Sequence, residues 1–153
     1  MRAAVRLAYP PFVEAMTSGD RPGADPVPPR ACVVDDDPGV RQWLTQVLES
    51  RGIEVCGVAG TIDEGLASIA AQRPDLAVVD SRLPDGRGVD LCREVSATRP
   101  EMTLILHTGM IGPEEVSRAY QAGVTRIALK SIQGEELLAA VEDFSVRYRG
   151  ARA

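Results

Sequence analysis

From residue 31 onward, short runs of apolar residues alternate with longer stretches whose apolar positions recur every three or four residues. The runs are ACVVD (31–35), EVCGVA (54–59), LAVVD (76–80), TLILHT (103–108) and RIALK (126–130). Each is of strand length, nearly all apolar and without clean in–out alternation, the pattern of a parallel strand covered on both faces. Between them, PGVRQWLTQVLESRG carries Val40, Trp43, Leu44, Val47 and Leu48 at helical spacing and stops at Gly52. TIDEGLASIAAQRP opens with Thr61 and Glu64 in capping-box relation and ends before Pro74. GVDLCREVSATRP, PEEVSRAYQAG (with Pro113 in the first turn) and GEELLAAVEDFSVRY complete a set of five helices. Five strand–helix alternations predict an α/β doubly wound fold: a five-stranded parallel sheet with right-handed crossovers and helices on both faces.

Composition narrows the partners. A chain of 153 residues, 44% hydrophobic, suffices for one core of ordinary size. Its formal charge of −5, with seventeen scattered Lys and Arg, argues against a nucleic-acid partner held through phosphates. Cys32, Cys56 and Cys92 are odd in number and far apart, so they are expected to be reduced core residues of a cytoplasmic protein. Residues 1–29, with prolines at 22, 26, 28 and 29, are expected to form a disordered Pro-rich leader, and Met16 is an alternative start. Nothing in that leader is long and apolar enough for a signal or a membrane span.

In an open α/β sheet the functional crevice lies at the carboxyl ends of the strands. Here those ends carry Asp35, Asp36 and Asp37, then Asp80, Thr108 and Lys130. Adjacent carboxylates repel by roughly 4 kcal/mol at ~4 Å and an effective dielectric near 20, so the cluster calls for a compensating cation or donor. A solvated acidic turn is the plainer reading of DDD by itself. Clustered carboxylates without thiol or imidazole are hard oxygen ligands suited to Mg²⁺ or Mn²⁺, and an Asp beside such a metal is a candidate nucleophile toward a phosphoryl group. A lysine and a hydroxyl complete the electrostatic needs of phosphoryl transfer.

From Arg30 to about Arg149 the chain resembles the receiver domains of two-component response regulators, the CheY-like family. VVDDDP, LAVVDSRLPDGRG, LILHTG and IALKS match in order and spacing, with Thr108 28 residues and Lys130 50 residues past Asp80. The resemblance implies a flavodoxin-like (βα)5 domain over residues 30–150 with strand order 2-1-3-4-5; because the sequence ends just after the fifth helix, no effector domain is expected, unless the chain is a fragment of something longer. It implies phosphorylation of Asp80 by a phosphohistidine on a sensor histidine kinase or histidine phosphotransfer protein. Asp35 and Asp36 would form the acidic pocket, with Asp36, Asp80 and the backbone carbonyl of Arg82 as metal ligands. Thr108 and Lys130 would bind the phosphoryl group. Thr108 would also act as a switch with the residue at position 127, signalling to a protein target through the face of the fourth helix, fifth strand and fifth helix. Homodimerisation stays open. Asp37, before Pro38, reads instead as the N-cap of the first helix.

Four departures qualify the match. The switch position, usually aromatic, is Ile127. Ser131 stands where a cis proline usually follows the lysine, so either a trans loop with altered lysine placement or a strained cis bond is expected. Arg82 and Met110 are poor water activators, which predicts no rapid self-dephosphorylation. A pseudo-receiver, folded alike but acting only as a phosphorylation-independent interaction module, is the alternative. An autonomous enzyme ranks low, because the dehalogenase-type second acid two residues past Asp80 is Arg82. The lone histidine, His107, is expected to be half-buried and bonded to backbone, while Asp85 and Gly86 read as a turn.

Overall fold

In the computed structural model, residues 27–152 are described. The elements are β1 (Arg30–Val34), α1 (Pro38–Ser50), β2 (Glu54–Ala59), α2 (Ile62–Gln72), β3 (Leu76–Asp80), β4 (Arg82–Leu83), β5 (Gly86–Arg87), α3 (Gly88–Thr98), β6 (Thr103–Thr108), α4 (Pro113–Gln121), β7 (Arg126–Leu129) and α5 (Glu135–Ala151). The main sheet is parallel throughout, ordered β2-β1-β3-β6-β7. Numbered by main-sheet strands alone, this is the expected 2-1-3-4-5. A two-residue antiparallel hairpin, β4–β5, is added between β3 and α3. Its strands are too short to leave a periodic signal in the sequence.

Side-chain alternation divides the core into two layers. Cys32, Val34, Ala77, Val79, Leu104 and Leu106 face α2, α3 and α4 through Ile69, Leu91, Val95 and Ala119. Ala31, Val33, Leu76, Val78 and Ile105 face α1 and α5 through Leu44, Leu48, Leu137, Val141 and Phe144. The central strands are apolar on both faces because each face meets a helix layer. A fully buried leucine such as Leu44 contributes about 1.5–3 kcal/mol by removal from water.

Local chemistry sets how the helices begin. Asp37 accepts from the Gly39 N–H at 2.8 Å and the Val40 N–H at 3.4 Å, with Pro38 in the first turn of α1, as expected of an N-cap. At α2, Thr61 Oγ1 accepts from Glu64 N–H at 3.1 Å, while the Glu64 carboxylate reaches back to Gly60 N–H at 2.9 Å. The start of that helix has another partner. Asp85 accepts from Ile62 N–H at 2.8 Å and Asp63 N–H at 3.1 Å, so the turn residue also ties the hairpin to α2.

The expected leader over residues 1–29 falls, up to residue 26, outside the described residues, as does the alternative start at Met16. Its last residues run alongside the domain: Glu54 N–H donates to the Pro29 carbonyl at 2.8 Å and Tyr148 Oη donates to the Val27 carbonyl at 3.1 Å. All three cysteines are free; Cys32 and Cys92 are buried and Cys56 half-buried. Among the described residues, no helix is long and apolar enough to cross a membrane.

Candidate phosphoacceptor and metal site

Strand register brings the candidate residues together. Asp80, the last residue of β3, pairs with His107, and Thr108 pairs with Leu129. Lys130 then follows β7, where its N–H donates to the Thr108 carbonyl at 2.7 Å. Asp35 follows β1, which neighbours β3 on the other side. Side-chain oxygens of Asp35, Asp36 and Asp80 all lie within 4.8 Å of one another; Asp35 and Asp80 are buried and Asp36 is exposed. Three carboxylates with one on the solvent side suit a hard divalent cation that enters from water and keeps part of its water shell.

The Lys130 ammonium lies 3.3 Å from Asp80 Oδ1 and 3.4 Å from Asp35 Oδ2. The Lys130–Ser131 peptide is trans. Of the two loop geometries expected, the unstrained one is therefore present, and it still delivers the ammonium to the carboxylates. Ser131 closes the turn into α5, where its hydroxyl bonds the Glu135 carboxylate at 2.7 Å and accepts from Gly134 N–H at 2.9 Å. Gly134 is needed there, since its φ of 69° is left-handed and a Cβ would sit 2.6 Å from the Trp43 ring.

Burial pushes the Asp35 carboxyl above its ordinary range; the Asp37 N–H, bonded to Asp35 Oδ1 at 2.9 Å, and the Lys130 charge oppose this, while Asp80 adds to it. Burial also opposes the charge on Lys130, but the Asp35 and Asp80 carboxylates outweigh it and hold the ammonium above its ordinary value. The pocket thus keeps one cation against crowded acids.

Thr108 is 1% exposed, and its hydroxyl lies 2.7 Å from Ser81 Oγ and 3.0 Å from the Met110 carbonyl. Ile127 pairs with Leu106 and is half-buried against the α2–α4 core layer. No aromatic ring therefore occupies position 127. Arg82 opens the hairpin in register with Arg87, its side chain exposed along the cleft between α3 and α4. Gly88, which ends that hairpin, must lack a side chain: a Cβ would lie 2.0 Å from the Asp80 carbonyl oxygen.

Three further residues depart from or add to what the sequence predicts. His107 is buried, not half-buried, and its Nδ1 has no hydrogen-bond partner, so the expected backbone bond is absent there. The Trp43 indole stacks near the imidazole, with ring centroids 6.3 Å apart and planes at 19°. Ser81, next to Asp80, is not predictable from sequence, because a lone serine beside the motif aspartate has no periodic or motif signal. The same holds for Arg41, whose guanidinium donates to the Asp35 carbonyl at 2.8 Å from one turn into α1.

The family model of the response regulator receiver domain matches residues 31–142. The chain belongs to that family. Among similar proteins, the DNA-binding transcriptional activator DevR/DosR of Mycobacterium tuberculosis is 38% identical over 112 residues, covering 72% of this chain and 52% of the relative. The DNA-binding response regulator MtrA of Mycolicibacterium smegmatis is 31% identical over 112 residues, covering 73% and 48%. The chain thus spans about half the length of these curated relatives. A CheY-like response regulator receiver domain protein from Methanospirillum hungatei superposes with a TM-score of 0.74 at 30% identity, over 83% of this chain and all of that one. The BeF3-activated DrrB receiver domain superposes with a TM-score of 0.67 at 29% identity, over 77% of this chain and 97% of that one. As a receiver, the chain is of the kind used in two-component signalling.

Proposed function

We propose that this receiver accepts a phosphoryl group on Asp80 from a phosphohistidine of a sensor histidine kinase or histidine phosphotransfer protein, and signals through the resulting change of conformation. The observation that carries this reading is the Lys130 ammonium within 3.3 Å of Asp80 and 3.4 Å of Asp35, at the edge of the three-carboxylate cluster. An Asp80 oxygen attacks phosphorus, the P–N bond breaks, and the imidazole leaves with the bonding pair. Phosphorylation adds roughly −1.5 to −2 charge, which Lys130 and the Thr108 hydroxyl answer from the protein side. Asp35, Asp36, Asp80 and the Arg82 carbonyl would hold Mg²⁺ or Mn²⁺. When bound, that ion supplies charge neutralisation at the phosphoryl oxygens.

In this reading the receiver is a stoichiometric acceptor, not an autonomous turnover enzyme, and works in the cytoplasm. Its protein target docks on the face made by α4, β7 and α5. Lysine placement beside the acids, despite Ser131, counts against a module indifferent to phosphorylation. Incubation with Mg²⁺ and a small phosphodonor such as acetyl phosphate, followed by intact mass spectrometry, tests it. Addition of one phosphoryl group, absent in Asp80→Ala, is the expected result. No addition to the wild-type chain would sink the reading.

A further inference from the structure

Thr108 Oγ1 has one proton and more neighbours than that proton can serve. It lies 3.0 Å from the Met110 carbonyl, which can only accept, so Thr108 donates there. Ser81 Oγ, 2.7 Å away, must then donate to Thr108, with the Met110 N–H as a longer second donor at 3.4 Å. The order Ser81 O–H to Thr108 O–H to Met110 C=O is therefore set by proton count. Thr108 is 1% exposed, so water does not compete for these bonds.

This chain of hydroxyls crosses the segment that leads into α4. Met110 and Ile111 lie between Gly109 and Gly112, and Met110 is 83% exposed. Gly112 N–H is held by the Glu115 carboxylate at 3.0 Å, and Glu115 pairs with Arg87 at 3.2 Å. The loop is thus anchored at its α4 end and, at its β6 end, by the Thr108–Met110 bond. For Thr108 to donate to a phosphoryl oxygen on Asp80, it must give up the Met110 carbonyl. Ser81 works against that move by fixing the oxygen of the same hydroxyl.

We propose that Ser81 is a positioning residue that latches Thr108 in its resting place and sets how readily this receiver switches. The proposal rests on the phosphoacceptor reading of Asp80 and names the regulation of that site. With Ile127 in place of an aromatic, the latch gives the resting state a hydrogen-bonded hold that an aliphatic side chain cannot supply. Loss of one net hydrogen bond corresponds to a shift of about two- to tenfold in the resting equilibrium.

The test is binding of beryllofluoride with Mg²⁺, a mimic of the phosphoryl group, to wild type, Ser81→Ala and Ser81→Thr. Ser81→Ala should bind about two- to tenfold more tightly, and Ser81→Thr, which keeps the hydroxyl, should return to the wild-type value. The Met110 ε-methyl NMR signal of unliganded Ser81→Ala should move toward its position in the beryllofluoride complex, which a merely structural role for Ser81 would not produce. Equal binding by wild type and Ser81→Ala overturns the latch but leaves the acceptor site standing. Weaker binding by Ser81→Ala also overturns it, since the hydroxyl would then support the phosphorylated state. Binding by none of the three overturns the acceptor reading and the latch with it.

Discussion

Lys130 Nζ stands 3.3 Å from Asp80 Oδ1, across the carboxyl edge of two strands that are not hydrogen-bonded to each other. β6 lies between them, and the Lys130 N–H bond to the Thr108 carbonyl fixes where the side chain begins. One ammonium therefore serves two buried carboxylates, and several consequences can be measured.

Lys130→Ala leaves Asp35 and Asp80 facing each other without a cation. At pH 7 without metal this should cost about 1–2 kcal/mol, less than a fully buried pair because the lysine is partly exposed. The ammonium's raised value means that its contribution is present below its ordinary 10.5 and fades as pH climbs past it. Urea titrations at pH 7 and pH 11 should show a smaller difference between the two proteins at the higher pH.

Mg²⁺ should stabilise the wild type, because three oxygens within 4.8 Å repel one another until a cation joins them. Thermal melts should rise by several degrees, with about 2.7 kcal/mol gained once free metal exceeds its dissociation constant about a hundredfold. Asp36→Ala removes the solvent-side carboxylate and should abolish the rise. A rise that survives in the variant would refute this use of Asp36.

Asp37 faces another way. Its carboxylate bonds the first N–H groups of α1, so Asp37→Ala should cost about 1 kcal/mol of stability while leaving the Mg²⁺-induced shift in melting temperature intact. Chemical denaturation with and without metal separates the two effects.

His107 should make the domain acid-sensitive. Burial, aided by the Lys130 charge and opposed by Asp35, pulls its imidazole from the ordinary 6.5 down to about 4. The unfolded chain then binds a proton that the folded chain refuses. Stability is complete above about pH 6.5 and falls by up to about 3 kcal/mol as pH drops toward 4. Asp35, pushed above its ordinary range, acts in the opposite sense, and its contribution rises as pH falls through that region. Denaturation of His107→Gln between pH 4 and 7 in EDTA should give the flatter profile; an unchanged slope would assign the acid sensitivity elsewhere.

Much of this molecule could be read along the chain because the relevant signals are local. Apolar runs of strand length, helical periodicity, Pro38 after Asp37 and Pro113 at the start of α4 depend only on near neighbours, and they yielded five main strands and five helices. The acids, hydroxyl and lysine followed from one topological rule about strand ends. The hairpin β4–β5 did not, being two residues per strand, nor did the capping of α2 by Asp85, whose partners lie 22 and 23 residues away.

The sequence by itself determined which side chains stand at the carboxyl ends of the strands, since strand length and order place them there whatever the packing detail. Tertiary structure alone decided what those side chains touch. Whether Lys130 reaches the acids without a cis proline depends on how Ser131 closes its turn. His107 lacks its expected backbone bond at Nδ1, and Trp43, brought in from α1, stacks near its ring. The hydroxyl order through Ser81, Thr108 and Met110 arises from the juxtaposition of β3 and β6, and a proton can be assigned only when all its neighbours are known.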